Sequence, residues 1–215
     1  MKIAVLGTGM VGNVIAAKLV QLGHEVKMGS RTANNANAAE WAKANGTKAS
    51  QGTFADAAKF GEIIFNCTAG VASLRALKIA GAENLKGKIL IDVANPLDFS
   101  KGFRPTMAIC NTDSLGEQIQ HAFPDVKVVK TLNTVNCNVM VNPRLVPGDH
   151  DMFMSGNNID AKAKVTDILK NWFGWKNVID LGDISTARGP EMLLPIWVRL
   201  MSVLQTPNFN FKIAR

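Results

Sequence analysis

Apolar and polar positions along the first 130 residues fall into blocks of two kinds. Short runs such as Ile3-Ala4-Val5-Leu6, Ile63-Ile64-Phe65 and Ile89-Leu90-Ile91 are apolar at every position. That is the pattern of strands buried on both faces of a parallel sheet. Between them, apolar residues recur at helical spacing: Val11, Val14, Ile15, Leu19 and Leu22 share one face, and Gly23 follows where a helix C-cap belongs. In order, the pattern predicts strands at 2–6, 25–28, 62–68, 88–93 and 126–131, with a short segment near 48–50. The intervening helices fall at about 34–45, 54–60, 71–80 and 115–123.

Beyond residue 135 the pattern changes. Residues 151–155 and 177–180 read as short strands around an amphipathic helix at 159–173. Met192, Leu193, Ile196, Trp197, Leu200 and Leu204 give a last helix at 190–204, with Pro190 suited to a first turn and Pro195 expected to kink it. Strands interleaved with helices predict an α/β fold, a Rossmann-type doubly wound, mainly parallel sheet. The expected division is a Rossmann domain at 1–135 and a small C-terminal α/β region at 136–215.

The first strand runs into Gly7-x-Gly9-x-x-Gly12 and a helix follows at once. In such a unit the first glycine permits a tight turn, the second lets main chain approach a pyrophosphate, and the third lets helix and strand pack closely. Gly7, Thr8, Gly9, Met10, Val11 and Gly12 are therefore candidate cofactor residues, with the helix N-terminus receiving the anion. An NAD site would place Asp or Glu at the end of the second strand to hold the ribose 2′-hydroxyl. This chain has Ser30 and Arg31 there, which suit the 2′-phosphate of NADP, and Thr8 can reach the same group. The competing reading makes Ser30 a helix cap and Arg31 a solvated charge.

Ligands of such sheets sit beyond the carboxyl ends of the strands. Cys67, Thr68, Ala69, Asn95, Pro96 and Asn133 lie at or just past the ends of predicted strands and are the candidates for the nicotinamide crevice. A flat ring needs such small, mildly polar neighbours.

Composition narrows the function classes. The 24 Lys and Arg against 17 Asp and Glu give +7, but the charges are spread along the 215 residues and form no dense run. No nucleic-acid partner is expected, and an anionic small-molecule cofactor accounts for the balance equally well. No apolar run reaches the roughly 18 residues that suggest a membrane span. A first strand starting at Lys2 leaves no room for a targeting peptide, so a cytoplasmic protein with no membrane partner is expected. The three cysteines, Cys67, Cys110 and Cys137, contain no C-x-x-C pair and read as reduced thiols, with no metal site.

The catalytic inventory is thin. The chain has no tyrosine, which excludes a Tyr-x-x-x-Lys acid; His24, His121 and His150 are not placed as acids; and no Gly-x-Ser-x-Gly occurs. Reducing a ketone needs a proton donor beside the hydride. Passing a hydride to a flavin-like ring needs chiefly two stacked rings. The second chemistry fits better. The alternatives are an NADPH-dependent reductase of a small carbonyl or imine substrate, and a non-catalytic NADPH sensor.

Gly7-Thr8-Gly9-Met10-Val11-Gly12, Leu22-Gly23-His24-Glu25-Val26 leading to Gly29-Ser30-Arg31, and residues 88–96 resemble the NADP oxidoreductases dependent on coenzyme F-420 (F420), an 8-hydroxy-5-deazaflavin. The resemblance runs over nearly the whole chain. It implies NADP phosphate binding by Thr8, Ser30 and Arg31, and F420 as hydride acceptor. Asn133-Thr134-Val135-Asn136 stands where that family has a His-Thr-Ile-Pro-like segment, and Asn35 stands in place of a basic residue past the phosphate-binding arginine. A second piece, Asp180-Leu181-Gly182-Asp183-Ile184-Ser185-Thr186-Ala187-Arg188, is similar to the oxidoreductase domain of six-transmembrane metalloreductases, which implies a flavin as the other acceptor. The apolar last helix and Phe209-Asn210-Phe211 suggest packing against a second copy, a homodimer.

Overall fold

The computed structural model describes residues 1–102 and 104–214. Its strands in chain order are β1 (Lys2–Leu6), β2 (Glu25–Ser30), β3 (Ala49–Thr53), β4 (Ile63–Asn66), β5 (Ile89–Asp92), β6 (Leu97–Asp98), β7 (Thr106–Met107), β8 (Lys127–Thr131), β9 (Asp151–Ser155) and β10 (Asn177–Asp180). Eight of them form one sheet in the order β10-β9-β8-β5-β4-β1-β2-β3. From β3 across to β8 every pairing is parallel, the 3-2-1-4-5-6 order of a dinucleotide-binding sheet. β9 then pairs antiparallel with β8, and β10 parallel with β9, so the C-terminal region extends the same sheet.

Period-two alternation sends the strand side chains to two cores. Ile3 and Val5 pack with Ile15, Leu19 and Phe65 on one face, while Ala4 and Leu6 pack with Phe54, Ile64 and Leu77 on the other. All are buried from solvent, and each large side chain so buried stabilises the fold by roughly 1.5–3 kcal/mol. The helix Met10–Gln21 ends in a Schellman motif: Gly23 has φ +92°, its N–H donates to Val20 O at 2.9 Å, and His24 N donates to Leu19 O at 3.1 Å.

Element boundaries shift where caps decide them. The helix expected at 34–45 is Ala36–Ala44, because Asn35 Oδ1 accepts from Ala38 N at 3.2 Å and makes Asn35 the N-cap. The segment near 48–50 lengthens to Ala49–Thr53, ending where Thr53 and Asp56 form a capping box for the helix Phe54–Phe60. The helix at 159–173 is α-helical only over Ile159–Asp167, then widens to π-type turns over Ile168–Phe173 and stops at Gly174, φ +89°. The last helix divides into Arg188–Met192 and Leu194–Leu204, with Pro195 in the first turn of the second piece, where its missing N–H costs nothing. The β6–β7 ribbon, pairing Leu97 with Met107, has too little alternation to be visible in sequence. Among the described residues no helix is long and apolar enough to cross a membrane.

Candidate active site

Two of the three motif glycines are required by the protein itself. A Cβ on Gly7, whose φ is +122°, would lie 2.5 Å from the Cys67 carbonyl oxygen, and one on Gly12 would lie 2.2 Å from that of Gly7. Gly9 differs: among the described residues no atom lies within 4 Å of the Cβ it lacks. Room left open there is room for a ligand to approach main chain. The helix Met10–Gln21 has no side-chain cap and no acidic residue in its first turn, so its leading N–H groups and positive end are available to an anion. Asn13 Nδ2 steadies the turn by donating to Thr8 O at 3.0 Å and Gly9 O at 2.9 Å. This cradle fits the pyrophosphate of a dinucleotide.

Two of the cavities beside the cradle lie at the switch between β1 and β4. One, of about 340 Å³, is lined by Gly7, Thr8, Gly9, Arg31 and Arg75, with Phe54, Ala76 and Ile79 giving it an apolar side. The other, of about 470 Å³, lies beyond the ends of β4, β5 and β8, with Met10, Val11, Asn95 and Asn133 in its wall. Cys67, Thr68 and Ala69 line both. The volumes are those of small-molecule sites.

Three sequence candidates line neither cavity. Gly12 is buried in the helix–strand contact and Pro96 is buried behind Asn95. Ser30 is buried, and its hydroxyl donates to Thr32 O at 2.5 Å. Arg31 is exposed beside it.

Asn95 and Asn133 tie the loops after β5 and β8 together. Asn95 Nδ2 donates to Asn133 O at 2.8 Å, and Asn133 Nδ2 donates to Asn95 Oδ1 at 2.9 Å. The larger cavity is walled mainly by apolar groups, Val93, Val135 and Met140 among them, with Leu194 and Trp197 brought in by the helix Leu194–Leu204. Trp197 stacks on Phe209, ring centroids 5.3 Å apart. Phe211 O in turn accepts from Asp151 N at 3.0 Å, so the C-terminal tail is tied to the edge of β9.

Titratable groups in that cavity are few. Burial, reinforced by the charge of Asp92, pushes the Cys67 thiol up, and burial does the same to Cys137. The carboxyl of Asp98 is held below the usual carboxylate range by hydrogen bonds from Ser100 N at 2.8 Å and Ser100 Oγ at 3.0 Å. Both thiols are therefore neutral at neutral pH, and Asp98 is ionised with no proton to give.

Beneath the cavity runs a buried polar seam that sequence reasoning missed. Thr68 Oγ1 donates to Asn66 Oδ1 at 2.7 Å, and Asn66 Nδ2 donates to Asp92 Oδ1 at 2.8 Å. Asp92 Oδ2 lies 2.9 Å from Lys130 Nζ, which also reaches Glu191 Oε1 at 2.8 Å and donates to Ala94 O. Glu191 accepts from Leu115 N at 2.8 Å and Gly116 N at 3.1 Å, at the start of the helix Leu115–Ala122. Burial pulls the Lys130 pKa down, but the charges of Asp92 and Glu191 outweigh it and hold the ammonium above the ordinary lysine value.

Comparisons with known proteins give the family. The family model described as "NADP oxidoreductase coenzyme F420-dependent" matches residues 2–96. The F420-dependent NADP reductase of Methanocaldococcus jannaschii is 31% identical over 224 residues, an alignment covering 100% of this chain and 98% of that one. The chain belongs to the F420-dependent NADP reductase family. It is an NADP(H)-dependent oxidoreductase. A solved structure from Arthrobacter sp. FB24, described as a candidate F420-dependent NADP-reductase, shares 54% identity and a TM-score of 0.94 over 100% of both chains. Metalloreductase STEAP3 of Rattus norvegicus is 26% identical over 201 residues, 91% of this chain but 38% of that protein.

For an NADP reductase the residues missed in sequence are informative. Asp92 and Lys130 were detectable as charges directly after apolar runs, Ile89-Leu90-Ile91 and Val128-Val129. Glu191 and Arg75 carried no such signal, since each sits in a helix where a charge is ordinary.

Proposed function

We propose that this reductase transfers a hydride between NADPH and the deazaflavin ring of F420, and that the two rings meet in the 470 Å³ cavity. The observation that carries this reading is the chemistry of the cavity wall. A carbonyl or imine substrate needs a proton delivered with the hydride. The described wall offers an ionised Asp98 and two neutral thiols whose pKa values are raised, none of them a ready donor at neutral pH. A flat ring acceptor asks instead for a dry, apolar wall and close positioning, which Val93, Val135, Met140 and Trp197 supply. When bound, NADPH supplies the hydride.

In this reading Gly7, Gly9, Met10 and Val11 cradle the pyrophosphate, Gly12 lets the helix pack closely behind them, and Thr8 and Arg31 hold the 2′-phosphate. Cys67, Thr68, Ala69, Asn95 and Asn133 frame the nicotinamide, and Pro96, buried outside the cavity wall, fixes the loop after β5. Residues 1–135 act as the cofactor domain, and residues 136–215 supply the acceptor side through Cys137, Met140, Leu194 and Trp197. The helix Leu194–Leu204 buries only Leu194 and leaves Ile196, Val203 and Leu204 exposed, which supports a homodimer formed through that helix.

The test is NADPH oxidation by the purified protein under anaerobic conditions with F420, FMN and a small cyclic imine in parallel. Turnover with F420 well above the other two supports the reading. Turnover with the imine alone would replace it by carbonyl or imine reduction, and NADPH binding with no turnover on any acceptor would replace it by a sensing role.

A further inference from the structure

We propose that Arg75 is a second cation of the NADP 2′-phosphate site and a determinant of the preference for NADPH over NADH. The inference rests on NADP as the cofactor and is independent of which acceptor takes the hydride.

Ala72, Arg75, Ala76 and Ile79 all line the 340 Å³ cavity beside the glycine turn. Their spacing of three and four residues puts them on one face of the helix Gly70–Ala80. Arg75 thus lines the same cavity as Arg31, one carried by the helix Gly70–Ala80 and the other by the segment after β2. Two guanidiniums facing one cavity repel each other unless an anion lies between them. Among the described residues no Asp or Glu lines this cavity and neither arginine forms an ion pair. Both are exposed and uncommitted.

The chemistry of the missing anion follows from the neighbours. A phosphate monoester carries a charge of about −1.5 to −2 at neutral pH, more than one arginine neutralises. Ser30, the neutral donor at the end of β2, has its single hydroxyl proton directed to Thr32 O, and Arg75 supplies the second strong donor instead. Phe54, Ala76 and Ile79 give the same cavity an apolar flank suited to a purine next to the phosphate. NADH has no phosphate at this position and gains nothing from the second arginine.

The experiment is calorimetric titration of wild-type, Arg75→Ala and Arg75→Lys proteins with NADPH, NADH and 2′,5′-ADP. Arg75→Ala is expected to weaken NADPH and 2′,5′-ADP by about tenfold or more and NADH by less than about twofold. Arg75→Lys should recover part of the loss, and the salt dependence of NADPH binding should fall in Arg75→Ala. As an exposed helix position, Arg75 tolerates alanine without loss of fold, which circular dichroism checks. Equal weakening of NADPH and NADH would place Arg75 on a group common to both, and unchanged NADPH affinity would remove it from the site. Either result overturns the proposal, while F420 reduction by the wild-type protein is unaffected by either.

Discussion

Glu191 reaches Lys130 at 2.8 Å across 61 residues of sequence, joining the short helix ahead of the C-terminal helix to the middle of the sheet. Asp92 holds the same ammonium from the other side at 2.9 Å, and all three side chains are almost wholly out of solvent. The cluster lies between the cavity floor, through Asn66 and Thr68, and the helix that carries Leu194 and Trp197 into the cavity wall. It is an anchor between the two sides of the cavity proposed as the active site.

Removing the cation leaves two buried carboxylates facing each other. Lys130→Met is therefore expected to destabilise the protein by about 3–5 kcal/mol, the usual cost of breaking a buried ion pair on one side. Urea unfolding of the two proteins measures the difference. A loss below about 1 kcal/mol would mean that the seam is solvated in solution.

Gly9 and Gly12 should respond to alanine in opposite ways. Gly12→Ala drives a Cβ to 2.2 Å from Gly7 O, so the turn must move and the melting temperature should fall. Gly9→Ala meets no protein atom and should melt like wild type, yet bind NADPH at least about tenfold more weakly because the new methyl occupies the approach to the pyrophosphate. Thermal melts with and without NADPH separate the two. A Gly9→Ala protein with wild-type affinity would remove the cradle from the cofactor site.

Arg31→Ala should discriminate between cofactors. A charge-assisted hydrogen bond is worth about 1.5–3 kcal/mol, so NADPH affinity is expected to drop tenfold to a hundredfold and NADH affinity to change little. Fluorescence titration with both cofactors reads this directly, and parallel losses would contradict a phosphate role.

Acid stability has an identifiable contributor. Arg188 donates to both carboxylate oxygens of Glu117, through Nε at 2.8 Å and Nη2 at 2.5 Å. That pairing, aided by Ser114, holds the Glu117 carboxyl below its ordinary value of 4.5. A carboxyl depressed in the folded state stabilises the fold above its unfolded value and loses that contribution as pH falls through the folded one. The difference in unfolding free energy between wild type and Arg188→Met should therefore be present at about pH 7 and shrink steadily below about pH 4.5. A difference constant across that range would assign the effect to packing of the arginine stem.

What was legible in the sequence was what neighbouring residues determine. β1, the glycine turn and the Gly23 cap are local, and their residue types admit few alternatives. The mainly parallel, doubly wound sheet followed from the alternation of strands with helices. The seam was not legible, because Asp92, Lys130 and Glu191 meet only through the fold, and a lone charge in a strand does not name its partner. The exchange between Asn95 and Asn133 was hidden in the same way: both were singled out as loop residues, and the hydrogen bonds across 38 positions explain why amides stand there. Ser30 illustrates the reverse. Its type suited a phosphate, but main-chain geometry turned its hydroxyl to Thr32 O.

The most direct test of the account uses NADPH carrying deuterium at C4 of the nicotinamide, on each face in turn, mixed anaerobically with enzyme and F420. Direct transfer between stacked rings predicts that deuterium from one face is recovered on carbon in the reduced deazaflavin, with slower reduction for that isotopomer alone. Loss of the label to water, or failure of F420 to be reduced while NADPH binds, would contradict hydride transfer in this cavity.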